Sequence, residues 1–232
     1  MRSGESTTAV VPAAGSGSRF GGAKLWADLN GQPVLAWVLQ ALGDPVSGVD
    51  ELVVVADRSE HRRVAEVAAE AAPRLGCRCV AGGARRQDSV GAGLTLCTGD
   101  WVLVHDGARP GLSPELCARV LQAARRTGAA TACLAMADTT ARLGPQGLVE
   151  VLTRAELGSI QTPQAFRRQL LERAHQEARA RGFEADDDAA LVLALGEPVG
   201  TVPGDPRNLK VTRTEDLLAL RSWLTQEAWA RP

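Results

Sequence analysis

Short apolar runs, too brief for helices, recur between stretches of helical periodicity, and this alternation confines the chain to a small set of folds. Thr8 to Pro12, Glu51 to Ala56, Cys77 to Ala81, Trp101 to His105, Ala130 to Ala135 and Pro198 to Val202 read as strands. Pro33 to Leu42 places Val34, Leu35, Val38 and Leu42 at helical spacing, with Pro33 suited to a first turn. Ser59 to Ala72 reads as a helix capped by Ser59 and stopped by Pro73, and Pro114 to Arg126 as one capped by Ser113. Gln87 to Cys97, Arg167 to Arg181, Asp187 to Leu195 and Thr214 to Trp229, the last with Thr214 as cap, complete the helices. Strands without strict polar alternation, separated by helices of about 10–15 residues, indicate a parallel sheet covered on both faces. The expected fold is a three-layer α/β domain.

From Asp138 to Gln161 the texture changes. Thr139 to Arg142, a Gly144-Pro145-Gln146-Gly147 turn and Leu148 to Leu152 predict a hairpin. A lone hairpin cannot bury both faces, so it packs on its own domain or reaches a partner subunit. No internal repeat or low-complexity linker intervenes, so residues 1–232 are expected to form one domain, with 138–161 as a protruding β-arm.

Composition excludes several classes. Twenty-six Lys and Arg balance 27 Asp and Glu, so the basic excess of a general nucleic-acid or membrane-surface binder is missing. Aromatic residues are 3% of the chain and tyrosine is absent, which disfavours a base-stacking platform. No apolar run approaches the roughly 18 residues that span a bilayer, and residues 1–11 lack a secretory pattern, so a cytoplasmic protein is expected. Five cysteines, including a Cys77-x-Cys79 pair without zinc or redox spacing, are expected to be buried free thiols.

Two segments carry chemistry. Pro12-Ala13-Ala14-Gly15-Ser16-Gly17-Ser18-Arg19 follows the first strand. Its small residues let backbone N–H groups approach an anion, and Arg19 and Lys24 add positive charge, so a phosphate role outweighs that of a simple flexible turn. A Walker A loop is absent, and G-x-G-x-x-G misses its last glycine by one residue at Gly21, which counts against a dinucleotide-dependent dehydrogenase. His105-Asp106-Gly107-Ala108-Arg109-Pro110 follows an apolar strand, at the strand end where α/β sheets bind ligands. Asp106 there suits a divalent cation and Arg109 a phosphate, or the two simply pair across their own turn.

Taken in order, Pro12 to Arg19, Lys24, Asp88-Ser89-Val90, His105 to Pro110, Thr162-Pro163-Gln164 and Asn208-Leu209-Lys210-Val211-Thr212 resemble the 2-C-methyl-D-erythritol 4-phosphate cytidylyltransferase family. The resemblance covers about Thr8 to Leu220, and its first motif marks the wider nucleotidyltransferases. It implies a Rossmann-like nucleotidyltransferase fold, a homodimer joined through the arm, and transfer of CMP from CTP to methylerythritol phosphate with release of pyrophosphate, assisted by Mg²⁺. It implies catalytic roles for Arg19, Lys24 and Lys210, and nucleotide contacts from Pro12, Ala13, Ala14, Gly15, Gly17, Gly83, Ser89 and Gly107. Asp106 is the implied metal and substrate ligand, with Arg109, Thr139, Arg154 and Thr162 on the acceptor side. Thr139 and Arg154 would complete the neighbouring subunit's site. Ribitol 5-phosphate as acceptor, or a catalytically silent nucleotide-binding protein, are the alternatives.

The chain also departs from the family pattern. Ala23 precedes Lys24 where proline is common, Ala84 stands where aspartate is common, and Arg207 precedes Asn208 where some members are acidic, with Asp205 two residues away. Asp186-Asp187-Asp188 replaces Thr-Asp-Glu and reads as a helix cap. His105 is expected to pack or hydrogen-bond rather than act as a base, His61 and His175 to be solvated, and the scattered tryptophans to pack. Arg86 is a weaker candidate for a place near the triphosphate.

Overall fold

A computed structural model describes residues 5–15, 20 and 22–224. β1 (Thr7–Pro12) leads through the short ribbon β2 (Asp28–Leu29) and β3 (Gln32–Pro33) into α1 (Val34–Gly43) and β4 (Glu51–Val55). The alternation continues with α2 (His61–Ala71), β5 (Cys77–Val80), α3 (Arg86–Leu94), β6 (Trp101–Val104), α4 (Pro114–Thr127) and β7 (Ala129–Ala135). The hairpin β8 (Ala141–Gly144) and β9 (Gly147–Val151) comes next, then β10 (Gly158–Arg167), α5 (Arg168–Arg181), α6 (Asp188–Ala194), β11 (Gly200–Pro203) and α7 (Thr214–Leu224).

Seven strands form one sheet in the order β11-β7-β10-β6-β1-β4-β5. β1 runs parallel to β4 and β6, with Val10 level with both Val53 and Val104, and β5 and β11 extend the sheet in parallel at its edges. Successive side chains of a strand point to opposite faces. Accordingly, Ala9 and Val11 enter one apolar cluster with Leu35, Leu39, Leu52, Leu103 and Leu116, while Val10 enters another with Val53, Val102, Phe166 and Leu171. Both faces of β1 are therefore buried, which explains a valine run with no polar alternation. Each fully buried Leu, Val or Phe contributes roughly 1.5–3 kcal/mol of transfer free energy.

β10 has no counterpart among the strands expected from the sequence. It lies between β6 and β7, antiparallel to both, and its first residues, Gly158 to Gln161, pair with Ala135 to Ala132 of β7. Gln161, Thr162 and Gln164 are buried polar residues, and Pro163 breaks the ladder where the register shifts between Gln161 and Gln164. Polar residues around a proline do not read as an interior strand. The hairpin itself is confined to β8 and β9.

Ser113 caps α4 as expected, accepting the Leu116 N–H at 3.2 Å. Ser59 does not cap α2, which begins at His61 after a 3₁₀ turn of Arg58–Glu60. Asp216, rather than Thr214, accepts the N–H groups of Thr212 and Arg213, both at 2.7 Å. The predicted extension of that helix to Trp229 lies outside the described residues. Cys97 and Cys117 are buried free thiols, but Cys77, Cys79 and Cys133 are only half-buried. The histidine expectation also changes: His175 is buried, and His61 donates from Nε2 to the Ala56 carbonyl at 3.0 Å. Among the described residues no helix is long and apolar enough to cross a membrane.

Candidate active site

The carboxyl ends of the adjacent parallel strands β1 and β6, with the segment that follows β5, border one cleft of about 410 Å³. Pro12 to Gly15, Lys24, Leu25, Gly83 to Arg86, Ser89, Asp106 to Ala108 and Lys210 line it. The loop leaving β1 is pinned by both neighbouring strands: the Ala13 N–H donates to the Val55 carbonyl at 2.7 Å, and the Gly107 N–H donates to the Pro12 carbonyl at 3.2 Å. Opposite, a Cβ on Gly82 would stand 2.3 Å from the Ala14 Cβ, so the two backbones approach this closely because position 82 has no side chain. The Ser89 hydroxyl accepts the Gly83 N–H at 3.2 Å and donates to the Arg85 carbonyl at 3.1 Å, holding this wall in place.

Among the described residues that line the cleft, Asp106 is the one carboxylate. Its Oδ1 receives Arg86 Nε at 3.0 Å, and its Oδ2 receives Lys210 Nζ at 2.9 Å and Arg109 Nε at 3.4 Å. Burial alone would raise the carboxyl's pKa, but the charges of Arg86, Lys210 and Arg109 outweigh it and hold the pKa far below the usual range. The group is an anion ringed by three cations, so the floor of the cleft is net positive and suited to a polyphosphate.

A buried polar lattice supports that floor. The Thr162 hydroxyl accepts the Asp106 amide at 3.0 Å. His105 Nε2 lies 3.2 Å from the Arg109 carbonyl, which can only accept, so Nε2 carries the proton and Nδ1 accepts from the Thr162 hydroxyl at 3.2 Å. Burial pushes the His105 pKa down to about 4, which keeps the ring neutral, in its expected packing role. Asn208 donates from Nδ2 to the Thr162 carbonyl at 2.6 Å, and its own carbonyl receives Arg109 Nη1 at 3.0 Å. The Val211 N–H donates to the Ala108 carbonyl at 2.7 Å. The motif Asn208 to Thr212 is thus a strap that delivers Lys210 to Asp106. It runs so close that a Cβ on Gly111 would meet the Arg207 carbonyl oxygen at 1.9 Å.

The fold brings most of the candidates together. Pro12, Ala13, Ala14, Gly15, Lys24, Gly83, Ser89, Asp106, Gly107 and Lys210 share the cleft, with Arg109 and Thr162 bonded behind Asp106. Gly17 and Arg19 lie outside the described residues. Thr139 and Arg154 are not among the lining residues; Arg154 is exposed on the arm and donates to the Ala137 carbonyl at 2.8 Å. Arg86, the weaker candidate, also lines the cleft, and its direct bond to Asp106 was not foreseen. Two further features escaped sequence reading: Asn208 is a buried anchor, and Asp188 reaches Arg86 from 102 positions away. Only Asp187 is a cap, accepting the Ala190 N–H at 2.8 Å.

The same geometry tests the expected metal. Mg²⁺ is held by one or two carboxylates and substrate phosphates. Here a single carboxylate has both oxygens against cationic groups, Asp205 is taken up by Arg207, and no cluster of three metal-ligating side chains exists among the described residues. This donor set does not fit a resident divalent cation.

A mostly parallel α/β sheet with a main-chain-walled, cation-floored cleft beyond β1 and β6, and an arm inserted after β7, defines an α/β nucleotidyltransferase. The family model for 2-C-methyl-D-erythritol 4-phosphate cytidylyltransferase matches residues 7–226, and the chain belongs to that family. Over 95% of its length it is 46% identical to the "Bifunctional enzyme IspD/IspF" of Anaeromyxobacter sp. (strain Fw109-5), and it spans only 58% of that relative. It is 40% identical to the 2-C-methyl-D-erythritol 4-phosphate cytidylyltransferase of Dehalococcoides mccartyi (strain ATCC BAA-2266 / KCTC 15142 / 195), covering 92% of this chain and 94% of that one. The solved structure of the 2-C-methyl-D-erythritol 4-phosphate cytidylyltransferase from Thermus thermophilus superimposes with a TM-score of 0.78 at 37% identity, covering 94% of this chain and 98% of that one.

Proposed function

We propose that the chain transfers CMP from CTP to 2-C-methyl-D-erythritol 4-phosphate, giving 4-diphosphocytidyl-2-C-methyl-D-erythritol and pyrophosphate. An oxygen of the acceptor phosphate forms a bond to the α-phosphorus of CTP, and the bond from that phosphorus to the bridging oxygen of the β-phosphate breaks. The observation that carries the reading is the Asp106 cluster, with Lys210 mounted on it and Lys24 lining the same cleft.

A phosphate monoester is already largely a dianion near neutral pH, so the nucleophile needs no protein base. That agrees with the polar lattice, in which both ring nitrogens of His105 are occupied. What the reaction does need is alignment of two mutually repelling anions and stabilisation of charge on the leaving pyrophosphate. Lys24 and Lys210 serve that need, joined by Arg19 from outside the described residues. The backbone of Ala13 to Gly15 with Gly83 and Gly107 walls the cleft, and a pocket closed by main chain favours the smaller pyrimidine. A divalent cation enters this reading as the counter-ion that CTP brings on its phosphates, part of the nucleotide substrate.

The arm supports a homodimer with shared sites. Leu143, Leu148, Val149 and Val151 are each more than 60% exposed on the hairpin. Apolar side chains concentrated on one projection mark a surface that another chain covers. In this reading Thr139 and Arg154, which do not line their own cleft, serve the partner's acceptor site. We assign the reaction to the cytoplasm, where CTP is available.

Pyrophosphate release with CTP and Mg²⁺, in parallel with methylerythritol 4-phosphate or ribitol 5-phosphate, tests the reading. Release with the first acceptor is expected. Preference for ribitol phosphate, or silence with both, would overturn the assignment.

A further inference from the structure

The first residues of α3 clasp the segment that leads into α6. Arg85 pairs with Glu184, Gln87 donates to the Phe183 carbonyl at 3.3 Å and accepts the Ala185 N–H at 3.1 Å, and Arg86 meets Asp188. The start of α6 is tied to the sheet as well, since the Ala189 N–H donates to Gln164 Oε1 at 3.2 Å.

Asp188 is fully buried. Arg86 Nη1 stands 2.7 Å from its Oδ2, and His175 Nε2 donates to its Oδ1 at 3.0 Å. Because Asp187 already caps α6, the Asp188 carboxylate is not needed for the helix. A buried carboxylate is costly unless well paired, and its pairing here is with Arg86 and His175. Arg86 is consequently shared between two carboxylates, with Nε on Asp106 at 3.0 Å and Nη1 on Asp188.

We propose that Asp188, backed by His175, is a positioning residue for the nucleotidyl transfer: it fixes Arg86 against Asp106 and thereby the carboxylate on which Lys210 is mounted. The proposal rests on the reading of the cleft given above. Without Asp188, the guanidinium can turn both its edges onto Asp106 in a bidentate pair and compete with Lys210 and Arg109 for that carboxylate. Electrostatics alone gives the opposite sign for binding. Removing a negative charge near a site for a polyanion leaves nucleotide affinity unchanged or raises it. A positioning role therefore lowers kcat per folded enzyme without raising KM for CTP, with the folded fraction of each variant fixed by circular dichroism.

The experiment compares Asp188→Asn, Arg86→Lys and the double variant by steady-state kinetics, after wild-type turnover is established. Asp188→Asn is expected to lower kcat about tenfold or more, with KM for CTP unchanged or lower. In the Arg86→Lys background the same change is expected to cost less than about twofold, because its route to Asp106 is already broken. A kcat within about twofold of wild type, or losses that multiply in the double variant, would overturn the proposal. Should Asp188→Asn not fold, His175→Leu takes its place, with the same direction expected. Should the wild type fail to turn over CTP, the activity reading fails by itself. The relay is then judged from ¹⁵N spectra of the arginine side chains, in which the Arg86 Nε–H resonance must move in Asp188→Asn; an unmoved resonance refutes it.

Discussion

Thr162 holds Asp106 from behind: its hydroxyl accepts the Asp106 amide N–H at 3.0 Å while donating to His105 Nδ1 at 3.2 Å. All three groups are buried, so no water stands ready to replace the hydroxyl. Thr162→Val keeps the shape but orphans a donor and an acceptor, and the expected loss of stability is about 1–3 kcal/mol. Thr162→Ser, which restores the hydroxyl, should recover most of it. Urea unfolding of the three proteins checks this, and a valine variant as stable as wild type would show that the bridge contributes nothing.

Stability should also carry a signature of His105. Burial, the largest cause, pushes its folded pKa down to about 4, whereas an unfolded histidine titrates near 6.5. Between these values the unfolded chain binds a proton that the folded chain does not, so stability rises with pH through the window. The contribution is complete above about pH 6.5 and is lost as pH falls toward 4, on the order of 3 kcal/mol in all. Asp106 and Asp188, both held below the usual carboxylate range, contribute losses only at pH values lower still. His105→Gln should flatten the dependence between about pH 4.5 and 6.5. An unchanged slope in urea unfolding across that range would assign the effect to another group.

Much of this was legible in the chain, for a physical reason. A strand buried on both faces must be short and apolar, and β1, β4, β6 and β7 announce themselves that way. The cleft was legible at Pro12 to Gly15 and at Asp106 because both follow such strands directly. β10 was not, since its buried middle is polar: Gln161, Thr162 and Gln164 are satisfied by the Asp205 and Asn208 carbonyls, His105 and Thr131, partners that only the tertiary fold supplies. Asp188 was hidden for the same reason. An acidic residue at a helix start has a sufficient local explanation, and nothing local distinguishes it from its neighbour Asp187, which is the cap.

The approach of Gly82 to Ala14 offers a test of the main-chain walls. Gly82→Ala places a methyl group 2.3 Å from the Ala14 Cβ, so one of the two walls must move. Overpacking of this kind costs typically about 1–3 kcal/mol, and CTP affinity should fall with it. Ala14→Gly removes the opposing methyl, so the double variant should regain stability and nucleotide binding relative to Gly82→Ala. Calorimetric titration with CTP decides the matter; a double variant as weak as the single would mean that the contact is not what limits position 82.

Lys24 lines the cleft at the start of a 3₁₀ turn. If it stabilises charge developing on the phosphates, Lys24→Ala should lower kcat by two or more orders of magnitude, roughly 3 kcal/mol in the barrier. The folded structure should tolerate the change, with a melting temperature close to wild type. Pyrophosphate release under saturating CTP measures the effect, and turnover within a few-fold of wild type would remove Lys24 from the mechanism.

The arm makes the strongest claim about assembly, because the proposed site draws Lys24 from one subunit and Arg154 from the other. Each of Lys24→Ala and Arg154→Ala alone should then be nearly inactive, since every site in either homodimer carries the lesion. After the two variants are mixed under conditions that exchange subunits, half of the dimers are hybrids. In each hybrid one site collects both lesions and the other collects neither. Recovered activity should therefore approach about a quarter of wild type, a value fixed by the two-fold arrangement and not by any adjustable affinity. Replacing Leu148 and Val149 by aspartate should abolish the recovery along with the dimer in sedimentation, because charge at these exposed positions opposes burial against a second chain. If mixing restores nothing while the wild type sediments as a dimer, Arg154 serves its own subunit and the shared-site arrangement is wrong.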